Sequence, residues 1–448
     1  MELAAPAGNR EKLGYAYGYG ADAAYIGLKH FSLRLKADNF SPDEYKAVCH
    51  LKEAFPGKKL YCALNISFHN TDIDRFVSEI NDYHCYPFDA FIVQDLGLVE
   101  LLKKHFPGAA LHLSTQANCV NREAAKLYHR MGFKRIVLGR EASLTEIREI
   151  KDAAPELELE AFVHGAMCIA YSGRCLMSAY LAGRSANAGH CSHSCRWDYR
   201  ALTDLPPSGR LYLEEKERPG ELLPVFEGEN FTEVLSSKDL CMIDHLADMQ
   251  NAGIDALKIE GRMKSIYYTA LVTHAYRKAL DALLGIIPQK EAEPFIRDVY
   301  QVSHREFTTG FYYDRTKASA TASGTPHSDY DLAGTIGTKL NVGRQGWHLY
   351  HFTAMNKLKA GTPLEIITPE IACIPLGPED YRLIHPETGA SLEWVSHGHP
   401  CQLCTPRELP NPVFGVELLV RMGLPIHPVV FHGKTDFFVP VQIGKIRP

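Results

Sequence analysis

The first 165 residues repeat one unit: a short apolar run, a turn, then a helical stretch. That rhythm constrains the fold more than any other feature of the chain. The apolar runs fall at 3–5, 24–26, 60–64, 90–93, 111–113, 135–138 and 159–163, with helical patterns between them, for example at 45–55 and 122–131. Strand alternating with helix predicts a parallel sheet with helical crossovers. A later apolar run, Ala256-Leu257-Lys258-Ile259, brings the count to eight. Eight units predict an α/β protein with a (β/α)8 TIM-like barrel rather than an open doubly wound sheet. No G-x-G-x-x-G follows the first run, which disfavours a dinucleotide-binding sheet.

The eighth unit comes late, after an insertion of about 90 residues. The barrel therefore spans 1–290 and includes a cysteine-rich insertion at 165–200 and a hairpin at 205–236, turning at Arg218-Pro219-Gly220. A helix is expected over 239–251 and a long closing helix over 266–284. A helical linker follows at 291–325, then a small β-barrel-like domain at 326–422. The tail at 423–448 has no assignment. Charge excludes a wholly basic nucleic-acid binder: 48 Lys and Arg face 53 Asp and Glu, a net charge of −5. A local basic patch is compatible with that total. No run of 18 apolar residues and no export signal is present, so a cytoplasmic protein without a membrane span is expected. Its 12 cysteines should then stay reduced.

Cys168, Cys175, Cys191 and Cys195 cluster in the insertion with the spacing C-x6-C-x15-C-x3-C. Thiolates in a Gly-rich loop suit zinc or an iron–sulfur cluster. The missing C-x2-C pairs tilt this toward a cluster, while His164, His190 and His193 keep a mixed zinc site open. The loop follows the seventh strand, so it should lie over the C-terminal face of the barrel, where barrel active sites sit.

The segments Glu160 to Cys168, Tyr171 to Ser178, Ala188 to Cys191, Cys195 to Tyr199, Ser236 to Leu240 and Leu257 to Ser265 resemble the signature of the collagenase-like peptidase family, peptidase family U thirty-two. The resemblance runs from Glu2 to about Pro369. Within the family it is greatest to the bacterial prephenate-dependent tRNA uridine hydroxylases. It implies a [4Fe–4S] cluster on Cys168, Cys175, Cys191 and Cys195, with Cys241 as the rival fourth ligand. It also implies oxygen-independent hydroxylation of a tRNA uridine, with prephenate as the small-molecule hydroxyl donor. Ribosomal RNA or a ubiquinone precursor is the alternative substrate, and peptide hydrolysis the alternative activity. Neither H-E-x-x-H nor G-x-S-x-G is present, which speaks against a zincin or a serine hydrolase.

The last residues of barrel strands face the site. That nominates Asn65, Gln94, Ser114, Gln116, Arg140, His164, Glu260 and Arg262. His164, Tyr171 and Glu260 are the catalytic candidates. Arg140, Gln116, Asn118, Lys258, Arg262 and Lys264 are the substrate-binding candidates. Guanidinium groups bind carboxylates bidentately, so Arg140 and Arg262 suit a dicarboxylate. The bland competitors are a Lys258–Glu260 network, an ion pair of Arg140 with Glu141 or Glu260, and a turn cap at Gln116 and Asn118. Arg174, Arg184, Arg196 and Trp197 are the RNA-binding candidates, with Arg34, Lys36, Arg200, Tyr171 and Tyr199 in the same footprint. Cys401 and Cys404 form a true C-x2-C, which with His397 and His399 could hold a second metal.

Overall fold

The computed structural model describes residues 1–34, 37–168, 171–174, 190, 212–214, 222–224, 226–227, 232–233, 237–313, 328–342, 346–412 and 415–423. Parallel strands β1 (Glu2–Pro6), β2 (Ala23–Ile26), β3 (Lys59–Leu64), β4 (Ala90–Val93), β5 (Ala110–Leu113), β6 (Phe133–Val137) and β7 (Glu158–Ala166) pair in sequence order. A closing strand, Ala256–Ile259, pairs parallel with β7 on one side and with β1 on the other. The barrel is thus complete, with no open edge between first and last strand. Its strands are buried on both faces, which is why they read as near-continuous apolar runs.

Helices start where strands exit, and polar caps mark those starts. Asn9 accepts from the Lys12 amide, Asn121 from Ala124 and Ser265 from Tyr268, while Ser143 and Glu146 form a capping box. The long helix Ile266–Leu283 is largely buried against the barrel, as its apolar composition predicts.

The stretch 239–251 departs from the helix expected of it. Asp239–Cys241 is a strand, antiparallel to the end of β7 (Cys241↔His164) and parallel to Phe307–Thr308. Helix is confined to a 3-10 turn, Ile243–His245, and the short α-helix Leu246–Asn251. Ladder partners on both sides outweigh the local helical pattern, a dependence on context typical of strands. In the hairpin region, Tyr212–Glu214 pairs antiparallel with Leu222–Pro224, on either side of the expected turn.

Of the linker expected to be helical over 291–325, only the first part is: a helix, Gln289–Arg297, and a 3-10 turn, Asp298–Gln301. After these, Phe307–Thr308 is a strand paired with Asp239–Cys241, and residues 314–325 lie outside the described ones. The small domain is an antiparallel sheet in which Tyr330–Val342 lies between His348–Ala354 and Leu418–Gly423. It has its own core, with Ile336, Tyr350, Phe352 and Leu403 fully buried. It is held to the barrel by Tyr19 Oη, which donates to the Ile367 carbonyl at 3.2 Å. A nearly buried ion pair, Arg421–Asp298 at 2.7 Å, ties it to the linker. Cys401 and Cys404 lie on one strand, Cys401–Thr405, three residues apart. That offset puts them on opposite faces, so they cannot converge on one ion. Among the described residues no group of three or more His, Cys, Asp or Glu is arranged to hold a metal. The tail from 424 onward lies outside the described residues.

Candidate active site

The C-terminal ends of the strands open into one cleft of about 530 Å³, measured out to its open mouth. Its walls are partly apolar, from Leu33, Ile92, Val137 and Phe162. Four cationic side chains enter it: Arg34 from the loop after β2, Arg140 from the loop after β6, and Lys258 and Arg262 from the closing strand and its exit. One carboxylate, Glu260, lies among them.

Glu260 is held ionised. Burial alone would raise its pKa, but Arg34, Arg140 and Arg262 outweigh it and bring the group down to about 2. Arg34 Nη2 donates to Glu260 Oε1 at 2.8 Å, and Tyr25 Oη approaches Oε2 at 3.4 Å. A carboxylate so stabilised is a counter-charge rather than a proton donor at neutral pH.

Arg262 is the least satisfied cation in the cleft. It is 3% exposed. Nη2 donates to Ser32 Oγ, but Nε and Nη1 have no hydrogen-bond partner among the described residues. Burial, then the neighbouring Arg34, lowers its pKa to about 10, so it remains charged at neutral pH. Gly261, at φ 151°, turns the chain there, and a Cβ on it would stand 2.4 Å from the Tyr268 ring. Arg140 lays its guanidinium over the Phe162 ring, 4.0 Å from the centroid. It makes no ion pair among the described residues, neither with Glu141 nor with Glu260.

Lys258 has a partner, though not the one expected. Its Nζ lies 2.5 Å from Glu160 Oε1, diagonally placed on the neighbouring β7, where Phe162 is the residue opposite, while Glu260 goes to Arg34. Glu160 also takes Arg135 Nη1 at 3.0 Å, and Arg135 reaches Glu2 at 2.5 Å and Glu158 at 2.7 Å. An ionic ladder thus runs inside the barrel from the cleft floor to β1. Strand alternation puts Lys258 and Glu260 on the same side, but their partners come from different neighbours.

Gln116 lines the cleft from a 3-10 turn, Thr115–Ala117. Asn118 does not. It adopts φ 52° and its Nδ2 donates to Glu141 Oε2 at 3.0 Å. Glu141 Oε1 takes the Ser172 amide at 2.7 Å. Gly173, at φ 73°, presses so closely that a Cβ would stand 2.0 Å from the Gln116 carbonyl oxygen. The segment 171–174 therefore lies across the exits of β5 and β6, with Tyr171 66% exposed. Cys168 is exposed at the exit of β7, and Arg174 is exposed on the same loop. Cys175, Arg184, Cys191, Cys195, Arg196 and Trp197 lie outside the described residues, as do Lys36, Tyr199 and Arg200.

His164 sits away from the cleft. A register shift between Lys258 and Ile259 accompanies its placement among Tyr268, Tyr276 and Phe307. Burial brings its pKa down to about 3, so it is neutral. Cys241 is buried beside Tyr276, its Sγ 3.8 Å from Oη, and burial raises its thiol to about 11. Gln94 donates to Ser67 Oγ outside the cleft. Lys264 lies over the Tyr268 ring, 5.3 Å from its centroid.

Tyr25, Ser32 and Leu33 were not nominated from the sequence, and Arg34 was placed in the RNA footprint. The signal was available for Tyr25, at the end of the second apolar run; Ser32, Leu33 and Arg34 lie six to eight residues past that strand and are brought back by its loop.

The fold and the site define a TIM-like barrel with a cationic mouth, crossed by the segment 171–174. Residues 8–322 match peptidase family U32, and the chain belongs to that family. It is 35% identical over 401 residues to the tRNA hydroxylation protein P of Escherichia coli (strain K12), covering 82% of this chain and 86% of that one. To the tRNA hydroxylation protein P1 of Bacillus subtilis (strain 168) it is 36% identical over 380 residues, covering 83% and 84%. The 23S rRNA 5-hydroxycytidine C2501 synthase of Escherichia coli (strain K12) is 36% identical over 284 residues, covering 63% of this chain and 40% of that one.

Proposed function

We propose that this chain is an iron–sulfur enzyme of tRNA modification. It hydroxylates the wobble uridine to 5-hydroxyuridine without molecular oxygen, taking the hydroxyl group from prephenate. The observation that carries the reading is the buried guanidinium of Arg262, with two nitrogens unpartnered in a cleft that also holds Arg34 and Arg140. Unpaired buried charge is costly, and a ligand carboxylate relieves that cost. The cleft's cations supply one guanidinium for each carboxylate of a small dicarboxylate. Names borne by relatives over four-fifths of the chain support RNA hydroxylation.

In this reading Arg262 and Arg140 bind the donor's carboxylates. Glu260 holds Arg34 at the rim and keeps the local charge in balance. Gln116 offers its amide to the edge of a flipped base, since chemistry on a base requires it unstacked. Tyr171 and Trp197 supply stacking surfaces, and Arg174, Arg184 and Arg196 contact phosphates. Cys168, Cys175, Cys191 and Cys195 would hold the cluster, and Cys168 stands exposed at the mouth. When bound, such a cluster supplies one-electron transfer beside the cleft.

Nucleoside mass spectrometry of tRNA tests the reading. A strain lacking this gene should lose 5-hydroxyuridine, wild type should restore it, and Arg262→Lys should not. Cys168→Ala and Cys175→Ala should each lose iron, while Cys241→Ala keeps it. Unchanged 5-hydroxyuridine in the deletion strain overturns the substrate, and unchanged iron in both cysteine variants overturns the cluster.

A further inference from the structure

Arg262 is gripped by two residues that do not themselves line the cleft. Ser32 is fully buried, and its Oγ accepts from Arg262 Nη2. Gly27, at the exit of β2, lies against the other terminal nitrogen. A Cβ there would stand 2.6 Å from Arg262 Nη1 and 2.6 Å from Ser32 Oγ. One contact fixes Nη2, the other leaves space only because the side chain is a hydrogen atom. Together they set the plane of the guanidinium and leave Nε and Nη1 as its unused donors.

The segment that carries Ser32 is itself pinned. Phe31 adopts φ 63°, a left-handed conformation that is rare and strained for a bulky aromatic residue. Its ring is held by stacking on Phe68 at 5.2 Å and by an edge contact with Phe76 at 5.7 Å. On the other side of Ser32, the Leu33 amide donates to Asn65 Oδ1 at 3.1 Å. Strain of this kind persists only where the surroundings over-determine it, and here what it delivers is the Ser32 hydroxyl.

We propose that Ser32 and Gly27 are positioning residues that aim Arg262 for a carboxylate of the bound donor, and so set the cleft's preference for dicarboxylates. The inference rests on the carboxylate-binding reading of the cleft given above. A guanidinium whose plane is fixed in advance presents its remaining N–H groups to a carboxylate in one orientation, so loss of the grip lowers affinity without removing charge.

The test is calorimetric binding of prephenate to the full-length protein, with phenylpyruvate as the monocarboxylate control. Wild type, Ser32→Ala and Gly27→Ala are compared, with tRNA affinity and melting temperature measured beside them. Losing one hydrogen bond to a charged group should weaken prephenate binding about tenfold in Ser32→Ala. Gly27→Ala should do the same by displacing Nη1. The KM for prephenate should rise in step while kcat at saturation and tRNA affinity stay near wild type. If Ser32→Ala does not fold, Gly27→Ala decides alone. Variants that bind prephenate as tightly as wild type overturn the positioning role and leave the proposed function standing. A wild-type protein that binds no dicarboxylate overturns that function, and this inference with it.

Discussion

Arg262 and Glu160 are both buried charges, yet they should respond differently to removal. Arg262 has no carboxylate within ion-pair distance among the described residues, so Arg262→Met breaks no ion pair; Ser32 Oγ loses its donor and Glu260 one of the three cations that hold it ionised. Its melting temperature should therefore fall only modestly while donor binding is lost. Glu160 is shared by Lys258 and Arg135. Glu160→Gln leaves buried Lys258 without its carboxylate, while Arg135 keeps Glu2 and Glu158, and urea unfolding should show a loss of about 3–5 kcal/mol. Three histidines supply a pH test. Burial brings His112, His164 and His274 down to about 3 from an ordinary 6.5. The folded state therefore leaves them neutral while the unfolded chain takes up protons below pH 6.5. Stability should be complete above that pH and fall as pH drops from 6.5 toward 3. Melting curves between pH 7.5 and 5 should show the fall, and His274→Phe should make it shallower. The strand-end positions of Arg140, Gln116 and Arg262 were legible in the sequence because barrel geometry dictates them. The roles of Ser32 and Arg34 were not, because they depend on how Phe31 bends the loop after β2.

At the scale of elements, the legible parts were those with unbroken apolar periodicity. All eight barrel strands and the helix Ile266–Leu283 read directly, since burial on both faces leaves a continuous signal. Asp239–Cys241 did not, because its identity as a strand comes from β7 and Phe307–Thr308 rather than from its own residues. The docking of the small domain was equally invisible in one dimension. It depends on Arg421, on the strand Leu418–Gly423, meeting Asp298 in the linker and Glu365 on the strand Leu364–Ile367. Arg421→Ala leaves Asp298 buried without its counter-charge. A loss of about 3–5 kcal/mol is expected. Limited proteolysis should then cut between barrel and small domain before either is digested. An unchanged cleavage pattern would show that the domains are held by other contacts.

For the whole molecule, a net charge of −5 coexists with a cationic mouth, so under the proposed function RNA should be drawn to one face. tRNA affinity should fall as salt rises, because phosphate contacts release counterions. Affinity that is flat between low and physiological ionic strength would exclude such contacts. Among the described residues no helix is long and apolar enough to cross a membrane. The closure of the barrel has a further consequence for its synthesis. β1 pairs with Ala256–Ile259, about 250 residues downstream. On the ribosome, the first strand must wait roughly ten to fifty seconds for that neighbour to emerge. During that interval its outer edge is bare and open to pairing with another nascent chain. Glu2 stands at the start of that edge, and a charge there disfavours such pairing until Arg135 claims it.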